Sequence, residues 1–167
     1  MRVICKEVLH LNYETIDIDE KLNPDHIGSV LGMSFSDKQF DIVVCYQVLE
    51  HLPFESFEKA LSELFRVAKR AVIISLPNAG KVLSLHITKI CKKKLIEWPF
   101  YRAKELDLSN KSGHYWEINK KGYGINNILE KIVKTANKHN FFLKKDYRVW
   151  ENPYHHFFVL INTKVEK

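Results

Sequence analysis

The strongest constraint on this chain is a pair of short apolar runs separated by one amphipathic segment. Residues 40–46 read Phe-Asp-Ile-Val-Val-Cys-Tyr, and residues 71–76 read Ala-Val-Ile-Ile-Ser-Leu. Both fall far short of the ~20 residues that a membrane span needs. Short β-branched runs of this kind suit parallel strands covered on both faces. Between them Phe57, Ala60, Leu61, Leu64, Phe65 and Ala68 recur three or four residues apart. That spacing predicts a helix over 54–69, entered at Pro53. The second run stops at Pro77-Asn78. Strand, helix and strand in this order form a βαβ unit with a right-handed crossover.

The flanks extend this into an open α/β sheet. Ile4, Val8 and Leu11 share one helical face over 1–11, before Asn12. Residues 13–18 and 26–31 are predicted as short strands around the turn Asn23-Pro24-Asp25. A helix is expected over 81–91, inside an irregular, variable segment 81–113. Another helix is expected over 125–139, where Ile128, Ile132 and Ala136 align. Strands at 144–150 and 155–161, joined by Glu151-Asn152-Pro153, read as a C-terminal antiparallel hairpin. The 167 residues are read as one domain, 1–167.

Composition narrows the function classes. At 46% hydrophobic and 28% charged residues the chain has a globular balance, not that of a disordered tail. Three cysteines (Cys5, Cys45, Cys91) without a CxxC spacing imply neither a disulfide framework nor a zinc site. Lys6 and Glu7 interrupt the only early apolar stretch, so no signal peptide is read. The expectation is a cytoplasmic protein with no membrane contact and no metal. Charge is uneven: residues 1–80 carry 8 Lys/Arg against 12 Asp/Glu, and residues 81–167 carry 18 against 8. A basic half admits an anionic partner, although scattered lysines more often solvate helices.

The segment Phe40-Asp41-Ile-Val-Val-Cys-Tyr-Gln-Val-Leu-Glu50-His51-Leu-Pro resembles the strand-four region of class I S-adenosylmethionine-dependent methyltransferases, of the type 11-like kind. Members commonly read F-D-x-V-x-x-x-x-V-L-E-H-L there. The stretch from Gly28 through Phe35 and Asp37 to Asp41 is similar to the family's G-D-x-x-D-L-P-F-x-D-x-S-F-D. The helix, the fifth strand ending in Pro-Asn, and Gly113-His114-Tyr115-Trp116-Glu117 (a G-H-x-W-E segment) follow in family order.

The resemblance implies a Rossmann-like sheet with its ligand beyond the carboxyl ends of the strands. It implies S-adenosylmethionine as cofactor, S-adenosylhomocysteine as product and methyl transfer to an unidentified small or macromolecular acceptor. Asp17, beside Ile18, takes the place of the ribose-binding acid, since a carboxylate accepts from both sugar hydroxyls. Met33 would lie against adenine; Tyr46, Gln47 and His51 would face the methionine end. His114, Trp116 and Glu117 would stand on the acceptor side. The sulfonium is already activated, so alignment and exclusion of water dominate. Where the acceptor must lose a proton, His51, His114 or His155 is a candidate base.

The sequence also departs from the family. Its six glycines (28, 32, 80, 113, 122, 124) supply no G-x-G-x-G loop, and Ser29 and Gly32 replace family aspartates. The first, central strand of the family order 3-2-1-4-5-7-6 is missing from the reading. Three expectations follow: an N-terminally truncated sheet with unpaired inner edges, a longer chain or a lost front, and impaired cofactor binding. Two rival readings remain. One is a non-catalytic module in which Lys92, Lys93, Lys94, Arg102, Lys120 and Lys121, with Trp98, Tyr101 and Trp116, engage RNA or an acidic partner. The other is a structural subunit, including a homodimer, that completes its sheet from a partner.

Overall fold

The computed structural model describes residues 10–83, 100–102, 113–149 and 152–164. The helix expected over 1–11 lies almost wholly outside the described residues, as do Lys92, Lys93, Lys94 and Trp98. The βαβ unit forms as read. Strand β3 (Phe40–Tyr46) is followed by two 3-10 turns (Leu49–His51 and Phe54–Ser56), helix α1 (Phe57–Val67) and strand β4 (Ala68–Pro77). β3 and β4 are parallel, with Val43 opposite Val72 and Cys45 opposite Ile74. Helix α2 (Ile125–Lys138) leads into β7 (Phe141–Arg148) and β8 (His155–Asn162). β8 inserts antiparallel between β4 and β7, giving the sheet order β3-β4-β8-β7.

Two short strands, β1 (Ile16–Asp17) and β2 (His26–Ile27), form a separate parallel pair. β2 is shorter than expected because Ser29 bridges Gly32 and closes a turn. The helix expected at 81–91 is corrected at its start. Lys81–Leu83 is strand β5, paired antiparallel with β6 (Phe100–Arg102). The rest of that expected helix lies outside the described residues.

The two faces of the four-stranded sheet differ. Cys45, Val72, Ile74, Leu76, Phe158 and Leu160 share one core with Phe57, Leu61 and Phe65 of α1 and Ile128 and Ile132 of α2. Each large side chain buried there contributes about 1.5–3 kcal/mol over its exposed state. The alternate residues of the strands form the other face. There Ile42 is 58% exposed and Val44 39% exposed, with Ile73 and Val159 half-buried in the same row. β3 therefore departs from the expected cover on both faces. Among the described residues no strand pairs with its second edge.

One polar clamp fixes the loop that enters β3. Arg66 on α1 forks onto Glu63, donating from Nε at 2.7 Å and Nη2 at 2.9 Å. It also donates to the carbonyls of Phe35 (2.7 Å) and Met33 (2.9 Å) and to Asp37 (2.9 Å). Met33 N–H returns a bond to Glu63 at 2.8 Å. A planar five-donor guanidinium meets such a divergent set of acceptors, and lysine could not.

Candidate functional site

The site lies where β3 and β4 end. After Tyr46 the chain turns sharply: Gln47 adopts φ +54°, a left-handed conformation unusual for a residue with a Cβ. Two bonds hold it there, from its N–H to the Ser75 carbonyl (3.1 Å) and from its side-chain amide to Ser75 Oγ (3.0 Å). The bend delivers the turn Leu49–His51, in which Leu49 and Glu50 are buried and His51 is exposed.

Residues 113–119 dock on this turn from the far side of the sequence. Ile118 extends the line of β4 through a parallel bridge to Asn78, with Ile118 N–H donating to Pro77 and Ala79 N–H to Ile118. Tyr115 N–H donates to the Glu50 carbonyl at 2.8 Å, and Trp116 Nε1 donates to the Leu52 carbonyl at 3.0 Å. Gly113 sits at φ +70°, where a side chain would strain the backbone. Below, Asn78 Oδ1 accepts from Gly80 N–H (3.0 Å) and Asn119 Nδ2 (2.9 Å). A Cβ on Gly80 would lie 2.9 Å from Asn119 Nδ2, so that network requires glycine. Asn78 Nδ2 donates to His156 Nδ1 at 3.1 Å, and His156 Nε2 meets Asp146.

The result is a compact polar cluster. His51 and His114 meet edge to face, with ring centroids 4.7 Å apart. His51 Nδ1 donates to the Gly113 carbonyl at 3.3 Å, and His114 Nδ1 to Glu117 Oε1 at 2.9 Å. Glu117 is buried and also binds Lys120 Nζ at 2.8 Å. Burial alone would raise its carboxyl pKa; bonds from Lys120 and His114 outweigh that and hold it below the usual value. The Tyr154 phenol joins the same carboxylate. Burial, together with Glu117 and Glu50, pushes its pKa up to about 12.

Glu50 stands apart. Its side chain is 0% exposed, and neither carboxylate oxygen has a hydrogen-bond partner. Burial raises its pKa; its own backbone N–H, then His51 and His114, pull the other way, and Glu117 adds to the rise. One ligand atom from each of Glu50, His51 and His114 lies within 4.8 Å of the others, so these three could hold a metal ion.

The residues singled out from sequence are therefore only partly assembled. His51, His114 and Glu117 come together, with Trp116 beneath them. Trp116 is fully buried, packed against Phe54, Phe57 and Tyr123. Lys120 is nine-tenths buried in its ion pair, which removes it and Trp116 from the basic surface of the rival reading. His155 opens β8 with its ring against Tyr154 and Phe157. Tyr46 ends β3 against Phe157. Met33 is 7% exposed, its side chain in the core. Asp17 ends β1, accepts from Asp19 N–H at 2.9 Å and is followed by exposed Ile18. Glu50 and Tyr154 are not among the residues singled out from sequence, and Lys120 is named there only for the basic surface of the rival reading. Of Glu50 and Tyr154, only Glu50 carries a signal, its place in V-L-E-H-L.

Comparison with known proteins bears on the fold that carries this cluster. Residues 3–76 match the model of the methyltransferase domain family. An uncharacterized protein of Haemophilus influenzae is 24% identical over 179 residues, covering 92% of this chain and 68% of its own length. The PH0226 protein of Pyrococcus horikoshii OT3 has a similar fold: TM-score 0.53, 15% identity, 91% of this chain and 73% of its own. So does 1,6-didemethyltoxoflavin-N1-methyltransferase of Burkholderia thailandensis, solved with S-adenosylhomocysteine: TM-score 0.50, 9% identity, 89% of this chain and 60% of its own. The chain spans about half the length of other structures it matches (52% and 51%). Among the described residues no helix is long and apolar enough to cross a membrane. Residues 3–76 are thus similar to the methyltransferase domain family, and the described residues share the α/β fold of these solved structures.

Proposed function

We propose that this chain takes part in methyl transfer from S-adenosylmethionine, with the acceptor approaching the cluster after β3. The supporting observation is the bend at Gln47. It ends a parallel strand and presents the turn Leu49–His51 beyond the strand's carboxyl end, where doubly wound sheets take their ligands. When bound, the cofactor supplies an activated methyl group. Asp17 and Ile18 would hold the ribose, Met33 the adenine side, and Tyr46, Gln47 and His51 the methionine end. His114 and Glu117 would line the acceptor side. Because no G-x-G-x-G loop is present, the affinity of this chain for the cofactor is weak.

Amide NMR of the chain titrated with S-adenosylhomocysteine tests this reading. Shifts confined to residues 17–18, 33 and 46–51, without saturation at micromolar ligand, are expected. Micromolar affinity would refute the impairment, and shifts that avoid these residues would overturn the site.

A further inference from the structure

We propose that Glu50, His51 and His114 form a binding site for a divalent transition-metal cation. The inference rests on the arrangement of these side chains and goes beyond the methyl-transfer reading.

The first ground is Glu50. A carboxylate withdrawn from water is tolerated when it is paired or coordinates a cation. Glu50 is completely buried, and both of its oxygens lack a hydrogen-bond partner. The neighbouring Glu117 is also buried but is engaged by Lys120, His114 and Tyr154. The cluster thus holds one balanced carboxylate and one unbalanced one. The unbalanced charge is what a cation would neutralise.

The second ground is the state of the two imidazoles. His51 gives its Nδ1–H to a backbone carbonyl, and His114 gives its own to a carboxylate. In the neutral form of each ring this bond leaves the lone pair on Nε2. Metal-bound histidines are held in this way, with the second nitrogen donating to a carboxylate or carbonyl that fixes tautomer and orientation. Glu117 is accordingly a positioning residue for His114, anchored in turn by Lys120. The third ground is proximity: one ligand atom of each residue lies within 4.8 Å of the other two.

Two imidazole nitrogens and one carboxylate oxygen suit zinc, cobalt(II), manganese(II) or iron(II) rather than calcium, which prefers all-oxygen shells. Three protein ligands leave positions open to water, and exposed His51 puts the ion within reach of solvent. Once both Nε2 lone pairs are engaged, the rings act as ligands and not as proton acceptors.

Titration of the chelator-treated full chain with cobalt(II), followed by visible absorption, and with zinc, followed by calorimetry, tests the site without any methyl donor. One equivalent is expected to bind. Glu50→Gln, His51→Ala and His114→Ala should each abolish or severely weaken binding, and Glu117→Gln should weaken it by roughly 10–100-fold, as loss of an outer-shell partner does. Glu50→Gln keeps the shape and removes the buried charge, so it should fold; circular dichroism checks this. Zinc should raise the melting temperature of the parent chain and not of Glu50→Gln. Absence of cobalt and zinc binding, or equal affinity in the parent and Glu50→Gln, overturns the proposal. The metal titrations contain no methyl donor, so their outcome is read separately from that of the cofactor titration.

Discussion

Glu63 and Glu50 occupy two regions of the molecule and have opposite surroundings. Glu63, on α1, receives a two-pronged bond from Arg66 and a third from the Met33 amide, and its pKa is drawn down to about 2. Glu50, in the turn after β3, is more deeply buried yet unpartnered, and its pKa is raised. The fold shows at Glu63 how it satisfies a carboxylate that it uses for stability. Saturation there ties the loop at 33–38 to the helix. At Glu50 the same chemical group is left unmatched beside two oriented imidazoles. The contrast separates a carboxylate that holds the fold from one held ready for a ligand.

The largest expected effect breaks the saturated side. Arg66→Ala removes a part-buried guanidinium that meets Glu63, Asp37 and two carbonyls, leaving several acceptors unmet. Loss of one partner from such a pair should destabilise by about 2–4 kcal/mol in urea unfolding. A loss below about 1 kcal/mol would reduce the clamp to an ordinary surface pair. Glu50→Gln should move the other way. In cation-free buffer it removes an uncompensated charge while keeping volume, and should stabilise by about 1–2 kcal/mol. A clear destabilisation would mean that Glu50 has a partner in solution, and the comparison would fail.

The saturated region was more legible in sequence than the unsaturated one. Residues 40–46, α1, β4, α2 and the terminal hairpin follow from local periodicity, which survives in the structure within one to three residues at most ends. β5 was missed because Lys81–Leu83 becomes a strand only through β6, a pairing no local window contains. The same reason hid the character of Glu50. V-L-E-H-L marks the place, but burial of the carboxylate depends on residues 113–118, which dock through Tyr115 N–H and the Trp116 indole. Trp116 and Lys120 were read from residue type as contact residues. Their placement in the core and in a buried ion pair is a tertiary fact.

Acid sharpens the comparison further. The carboxyl of Glu63 titrates lower in the folded chain than its ordinary 4.5, so its stabilisation is complete above that value. It is lost as pH falls from there toward about 2. The stability gap between the parent and Arg66→Ala should therefore be constant near neutrality and close progressively on that acid limb. A gap that stays open at the lowest pH would assign the effect to the carbonyl contacts of Arg66 and not to Glu63.

The smallest effect belongs to a control pair. Glu58 on α1 meets Lys131 on α2, and the lysine's bond lowers the carboxyl's pKa, as at Glu63. Both side chains, however, are about a third exposed, and among the described residues no second donor of the kind that Glu63 receives is seen at Glu58. Water screens such a pair and recovers most of the energy when it breaks. A double-mutant cycle with Glu58→Gln and Lys131→Met should give a coupling of about 0.3–0.5 kcal/mol, smaller still in high salt. A coupling as large as the Arg66 effect would show that an α1 carboxylate needs neither burial nor a second donor to hold the fold, and the distinction drawn from Glu63 would lose its physical basis.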